Sequence, residues 1–505
     1  MKRALKPIVA LLLLMAIMST GCAFAVEDGF SQTSTYNYDY WGDVRHSPDA
    51  YRVDCVLDSA NLGLTTPMRK PESLFVRGND LYICDTGNNR ILQLTREGGV
   101  FTLVREIREL KGVEPATLNS PSDLSVDADG NLYIADTQNY RVVMVDKDLN
   151  YIKSFTKPGD ATFDQSLAFL PKKLVTDVSG RVFCLATNVN KGIIKFEADT
   201  TFTGFVGANK VSYTFYDYLW KRFLSTKEQR AQQENFVPTE YENLYMDEEG
   251  FIYATNTVFS EYDLMSDKAL PIRRLNGIGN DILIKNDRWL PIGDIDWDEG
   301  SIDYGPSKLV DITVLEGGIY VAFDKTRGRI FGYDDQGALL WAFGNKGNFD
   351  GSFTGAVSIE HMGYDLLCLD RNECSVTVFT PTLYGQTIYE AYEAYVAGDY
   401  DGSSEKWSEV LKLNANYNLA FVGVGRTLLR QDRFEEAMEC FKMAHHRKDY
   451  GKAYRLYRKV WVEEHLPWAL LLIPVIVLLV VRSARKKMKM EVYMHECNRV
   501  KKLDN

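Results

Sequence analysis

Hydrophobic and polar positions alternate in short runs through most of this chain, and the runs recur. Pro71–Leu94 (PESLFVRGNDLYICDTGNNRILQL), Pro121–Val145 (PSDLSVDADGNLYIADTQNYRVVMV) and Pro171–Phe196 (PKKLVTDVSGRVFCLATNVNKGIIKF) read the same way. A Pro-started strand of period two meets a turn of Asp, Gly or Asn. A second strand follows, then a polar turn that is Asp-Thr-x-Asn in the first two copies, then a third strand. The starting prolines are 50 residues apart both times, and a fixed period of that kind marks repeated supersecondary units. Thr102–Ile107 and Tyr151–Phe155 supply fourth strands. Weaker copies follow at Asn243–Thr257, Asp311–Tyr333 and Ser358–Phe379. The sixth copy has three strands. Tyr51–Leu57 (YRVDCVL), ahead of the first copy, is expected to join it as the outer strand, because closing the ring removes exposed sheet edges. Six four-stranded blades result, a mainly β fold.

Leu81-Tyr82-Ile83-Cys84-Asp85-Thr86-Gly87-Asn88-Asn89-Arg90 and Leu132-Tyr133-Ile134-Ala135-Asp136-Thr137-Gln138-Asn139-Tyr140-Arg141 resemble the repeat of the NHL β-propellers. The resemblance covers roughly residues 50–380 and is strong in the first two blades, loose in the last three. It implies a disc around a central channel. Members of that family bind proteins, RNA or small ligands, and a few distantly similar propellers are lactonases or lyases. Beyond Pro381 the apolar period changes from 2 to 3.6. Tyr400 to Phe434 and Trp407 to Phe441 are both 34 residues, so this segment resembles one and a half tetratricopeptide repeats. Too few to stand alone, such helices are expected to pack on the propeller or on a partner.

Both ends read as membrane signals. Lys2, Arg3 and Lys6, the run Ile8–Ile17 and Ala23-Phe24-Ala25 have the layout of a secretory signal peptide. Ser19-Thr20-Gly21-Cys22 offers a second reading, lipid attachment at Cys22. Leu466–Val481 has no charge and is followed by Arg482, Arg485, Lys486, Lys487 and Lys489. A basic cluster abutting an apolar run marks the cytoplasmic side. The expected organisation is a signal peptide at 1–25, an N-terminal linker at 26–50 and a propeller at 51–380 with insertions at 209–236 and 280–305. Tetratricopeptide-like helices at 381–460, a transmembrane helix at 461–482 and a basic cytoplasmic tail at 483–505 complete it. The propeller then faces the extracytoplasmic side of a cell membrane.

Charge narrows the partners. The net charge is −11, while residues 1–25 carry +3 and residues 482–505 carry +5, leaving −19 on the 456 residues between. A domain that acidic excludes nucleic acid as the expected partner. The 29 tyrosines suit protein or carbohydrate contact, and a membrane transporter for saccharides is one such partner. Of the eight cysteines, Cys84, Cys184 and Cys368 fall in apolar strands and read as core residues; Cys368 and Cys374 read as free thiols.

The candidate chemistry is sparse. Asp85, Asp136, Asp324 and Asp370 recur once per blade at one turn. Repetition around a ring points to architecture: pairing of Asp85 with Arg90 and Asp136 with Arg141, or with turn amides. The residues opening the innermost strands ring the channel mouth and are the candidate ligand-binding set: Ser73, Asp123, Lys173, Asn243, Asp311 (or its neighbour Val310) and Ser358. Lys173 would repel a cation at Asp123, so neutral polar ligands such as sugar hydroxyls or a peptide backbone fit better, with an Asp123–Lys173 structural pair as the alternative. No metal, no cofactor and no catalytic set is expected; the six histidines lack ligand spacing. The expected function is a membrane-anchored binding or scaffold protein. The alternative is a propeller enzyme at the channel, lyase-like or a gluconolactonase-like hydrolase. The insertion at 280–305, with Trp289, Trp297, Asp294, Asp296, Asp298 and Glu299, reads equally as blade decoration or as the wall of a site.

Overall fold

The computed structural model describes residues 33–207, 209–210, 236–237, 240–259, 263–264, 270–285, 290–296 and 303–501. The signal-peptide and lipid-attachment readings, nearly all of the insertion at 209–236, and Trp289, Trp297, Asp298 and Glu299 lie outside these residues. The chain divides after Tyr389 into two units.

The first unit is a six-bladed β-propeller. Blade 1 runs Ser73–Arg77, Asp80–Asp85, Arg90–Glu97, Val100–Ile107. Blade 2 runs Pro121–Val126, Leu132–Asp136, Arg141–Val145, Tyr151–Phe155. Blade 3 runs Pro171–Thr176, Val182–Ala186, Ile193–Phe196, Phe202–Val206. Blade 4 has three described strands, Leu244–Met246, Ile252–Thr255 and Ile272–Leu275. Blade 5 holds Leu309–Val314, Tyr320–Asp324, Arg329–Tyr333 and Leu339–Phe343. Blade 6 holds Ala356–Met362, Asp365–Asp370 and Ser375–Pro381. Each blade's first strand adjoins the first strand of the next, and blade 6 returns to blade 1.

Side chains alternate between the two faces of a strand, and here both faces are covered by neighbouring blades. The core therefore lies in layers between blades. Tyr82, Cys84 and Ile91 of blade 1 pack on Leu124, Leu132 and Ile134 of blade 2; Tyr133 and Ala135 pack on Leu174, Val182 and Cys184 of blade 3. Cys84, Cys184 and Cys368 are buried free thiols, as their apolar strands imply.

Tyr51–Leu57 closes the ring as the fourth strand of blade 6, antiparallel to Ser375–Pro381 with Tyr51 opposite Pro381 and Leu57 opposite Val376. The segment read as a linker does more than connect. Tyr36–Tyr38 and Val44–His46 form a hairpin that joins the outer edge of blade 5 through Tyr36 opposite Ala342. Three residues are too few to show a period; what holds the strand is polar. Asn37 donates Nδ2–H to the Leu340 carbonyl at 2.8 Å, and the hydroxyls of Tyr36 and Tyr38 donate to Asp294.

Helix α1, Leu383–Ala397, follows blade 6. Its first turn lies against the closing strand: the Thr382 amide donates to the Ala50 carbonyl at 2.9 Å, and a Cβ on Gly385 would stand 2.2 Å from that oxygen. The second unit contains α2 (Tyr400–Leu413), α3 (Asn418–Arg430), α4 (Phe434–Met443) and α5 (Arg447–Lys501). Asp399 caps α2 by accepting from the Gly402 amide at 3.0 Å. Trp407 and Phe441, 34 residues apart, are both buried, one in α2 and one in α4.

Helix α5 is bent. Among the described residues no single helix is long and apolar enough to cross a membrane, but Arg447–Trp468 and Leu472–Glu496, meeting at 50°, together are by length and composition. Pro474 accounts for the bend, since its ring removes the bond to the Leu470 carbonyl and crowds that oxygen. The described large apolar residues from Leu466 to Val481 are 43% to 71% exposed.

Candidate functional site at the channel mouth

Four of the six innermost strands carry a β-bulge just before the candidate residue: between Pro121 and Asp123, Pro171 and Lys173, Leu309 and Asp311, and Ala356 and Ser358. A bulge adds one residue and re-aims the side chain that follows. The re-aimed groups turn into the seams between blades. Ser73, Asp123, Lys173, Asn243, Asp311 and Ser358 are all buried, none more than 6% exposed.

Their bonds run around the ring. Ser73 Oγ donates to Asp123 Oδ1 at 2.5 Å, from blade 1 to blade 2. Asp123 Oδ2 accepts the Leu174 amide of blade 3 at 2.7 Å. Asp311 Oδ2 accepts Ser358 Oγ and the Ile359 amide of blade 6, both at 2.8 Å. Ser358 Oγ accepts the Leu74 amide of blade 1 at 3.1 Å. Asn243 turns back on its own strand, its Oδ1 accepting the Leu244 amide at 2.8 Å; the seam from blade 4 to blade 5 is made by Thr255 Oγ1 donating to the Val310 carbonyl at 3.1 Å.

Lys173 crosses a blade. Its Nζ donates to Ser73 Oγ at 3.1 Å and to the Glu72 carbonyl at 3.3 Å, both in blade 1. Ser73 Oγ thus stands between Asp123 and Lys173, accepting from the ammonium and donating to the carboxylate. Burial works against the charged lysine, but Asp123, Asp311 and Glu72 together outweigh it and its pKa is raised. Burial raises the pKa of Asp123 against the pull of Lys173, and pushes Asp311 up to about 6.

Glu360 belongs to this set and escaped the sequence reading. It lies two residues beyond Ser358 on the same innermost strand, the spacing that shares a face. Burial pushes its pKa well above the usual value, and Asp311 and Asp123 push it further. The signal was available in the period-two pattern, where a glutamate stood in a strand otherwise fit for a core. Next to it His361 Nδ1 lies 2.7 Å from Thr313 Oγ1, and burial lowers that imidazole to about 4.

The once-per-blade aspartates are turn anchors. Asp85 accepts the Arg69 amide at 2.7 Å and Arg90 Nε at 2.6 Å; Asp136 accepts the Asn119 amide at 2.8 Å and Arg141 Nε at 2.9 Å. Asp324 accepts the Lys308 amide and Ser307 Oγ, both at 2.8 Å, and Asp370 accepts the Thr354 and Gly355 amides at 2.6 and 3.0 Å. Of the insertion at 280–305, Asp294 points inward, ion-paired to Arg329 and accepting from Tyr36 and Tyr38. Among the described residues no three His, Cys, Asp or Glu side chains are arranged to hold a metal ion.

Residues 118–143, which span most of blade 2, match the NHL repeat. No curated protein matches the chain in sequence. Several solved structures are similar to it. Virginiamycin B lyase from Staphylococcus aureus is 12% identical, with 65% of this chain and 99% of that chain covered and a TM-score of 0.36. A streptogramin B lyase is 11% identical over 70% of this chain and 95% of its own, TM-score 0.36. A protein of unknown function from Bacteroides thetaiotaomicron is 11% identical over 69% and 76%, TM-score 0.39. Likenesses of this size say nothing of activity.

Proposed function

We propose that this chain is a single-pass membrane protein that holds its propeller on the extracytoplasmic side as a binding or scaffold module for a protein or carbohydrate partner, a saccharide transporter among them. The observation that carries the reading is the exposed apolar surface of α5. Leu472, Ile473 and Val475–Val481 are each 43% to 60% exposed, with no polar face. At roughly 25 cal/mol per Å², leaving such a surface in water is far costlier than placing it in lipid. The tetratricopeptide-like helices supply the link between propeller and anchor.

The anchor is tested on cell membranes. The protein is expected to stay in the pellet after alkaline carbonate, and protease added to intact cells is expected to cut the propeller and spare the residues beyond Arg482. Release by carbonate, or a propeller that survives while the tail is cut, would refute the reading. For the partner, the full-length protein in detergent is expected to retain a saccharide or a co-purified membrane protein, and recovery of neither would count against the binding role.

One observation favours the lyase- or lactonase-like alternative. Glu360 is a buried carboxyl held toward its neutral form beside two further carboxylates, the environment of a general acid. Turnover of a cyclic ester by the purified protein, lost in Glu360→Gln while the fold is kept, would promote that reading over the first.

A further inference from the structure

The stretch of α5 that precedes the apolar run has its own pattern. Residues 447–465 contain Arg447, Lys448, Lys452, Arg455, Arg458 and Lys459 against three acids, Asp449, Glu463 and Glu464. At about 100° per residue, Tyr450, Tyr454, Trp461 and His465 fall within an arc of about 60°, and the six cations take the adjoining arc of about 140°. The rings stack along the helix: Tyr450 on Tyr454 with centroids 6.4 Å apart and planes at 5°, Trp461 on His465 at 4.4 Å and 13°. The opposite side is used inside the unit. Ala453 is buried with Ala437 and Phe441, and Asp449 Oδ2 accepts Arg426 Nε at 3.0 Å. Lys452 pairs with Asp449 at 2.9 Å and Lys459 makes a long, exposed pair with Glu463 at 3.9 Å, whereas Arg455 and Arg458 are exposed.

We propose that this aromatic and basic face docks on anionic lipid headgroups of the membrane that α5 enters; the inference rests on the anchor reading above. Three observations support it. The face is continuous with the apolar run in one helix, so its distance from the bilayer is fixed. Lys459 and Arg455 lie about 10 and about 16 Å along the axis ahead of Leu466. The 50° bend leans this segment toward the bilayer plane and shortens those heights to about 7 and about 11 Å if the apolar segment follows the membrane normal. Both heights are within about one screening length, ~8 Å, of the headgroup layer, which is itself several ångströms thick. Tyr and Trp beside the run occupy the interfacial belt that such rings prefer. Finally, the six cations ahead of the run nearly balance the five at 482–489. They stand on the side opposite the orienting cluster, so orientation does not account for them, and lipid phosphate is within reach of the nearest three, Arg455, Arg458 and Lys459.

The test uses the full-length protein in nanodiscs of equal phosphatidylcholine and phosphatidylglycerol, with retained lipids counted by native mass spectrometry after release. The wild type is expected to keep phosphatidylglycerol preferentially. Arg455→Gln/Arg458→Gln/Lys459→Gln should lose that preference on the order of tenfold, each cation near the surface being worth several-fold. Arg485→Gln/Lys486→Gln/Lys487→Gln reports the separate share of the tail. If the first triple variant retains phosphatidylglycerol as the wild type does, with helicity unchanged, the cations face protein and the proposal is overturned while the anchor stands. If carbonate extracts the wild type from membranes, the anchor and this proposal fall together.

Discussion

The hydroxyls of Tyr51 and Tyr389 lie 2.5 Å apart, each ring fully buried. Tyr51 also donates to the Tyr364 carbonyl at 3.0 Å, so the hydrogen between the two phenols comes from Tyr389. Tyr364 in turn stacks on Tyr389, centroids 4.4 Å apart. One buried phenol thereby ties the strand that closes blade 6 to the helix that leaves it. Tyr51→Phe leaves the Tyr364 carbonyl and the Tyr389 hydroxyl short of a partner, a cost of about 1–3 kcal/mol. Urea unfolding followed by circular dichroism should show a lower midpoint with an unchanged slope; an unmoved midpoint refutes the tie.

Arg90 is fully buried and held by Asp85, Glu106 and the Thr66 carbonyl. Asp85→Ala takes from that guanidinium its one fully buried counter-charge, leaving the partly exposed Glu106, and should cost about 3–5 kcal/mol. Asp85→Ala/Arg90→Met removes the stranded charge as well, so it should unfold later than the single variant. A double variant that is no more stable than the single one would show that the arginine is not the problem.

Asp311 supplies a pH dependence with a definite sign. Its pKa is about 6 when folded against 3.8 for an ordinary aspartate. The native state holds this proton more tightly, so the stability the group contributes is complete below about pH 4 and is lost as pH rises through 6. Glu360 is shifted in the same direction. Stability profiles of the wild type and Asp311→Asn should diverge between pH 4 and 6 by on the order of 2–3 kcal/mol. Parallel profiles would sink this account.

Tyr140 ends the Asp-Thr-x-Asn turn of blade 2 in the left-handed region, φ 58°, where blade 1 places Asn89 at φ 53°. Asparagine tolerates that backbone and a bulky residue does not. Tyr140 is exposed and gives up little packing. Tyr140→Asn should therefore raise stability by about 0.5–1 kcal/mol, read as a higher denaturation midpoint; a lower midpoint contradicts it.

The first blades were legible because three open on a proline, two carry an Asp-Thr-x-Asn turn and both faces of each are buried; the later three keep the alternation with weaker punctuation. The same logic found Tyr51–Leu57, since an unpaired strand at one end and a missing strand at the other can be satisfied together. The hairpin at Tyr36–His46 was not legible: its hold depends on Asp294, more than 250 residues away, and on single side-chain bonds that leave no period. The six residues opening the innermost strands were legible by their place in the repeat. The bulges before four of them, and the bonds these allow across the seams, were not, because a bulge follows from how two strands pair and not from either strand's composition. Glu360 is not marked by its place in the repeat, since it stands two residues inside the strand that Ser358 opens.

The closing strand also sets a clock. Tyr51 leaves the ribosome early, and its partner Pro381 is made 330 residues later. At roughly 5–20 residues per second, about 15 to 65 seconds separate the two. During that interval blades 1 to 5 are made one after another with no closed ring, so the sheet edges at both ends stay open. Truncations that end before Pro381 keep those edges open and should aggregate where the full chain does not.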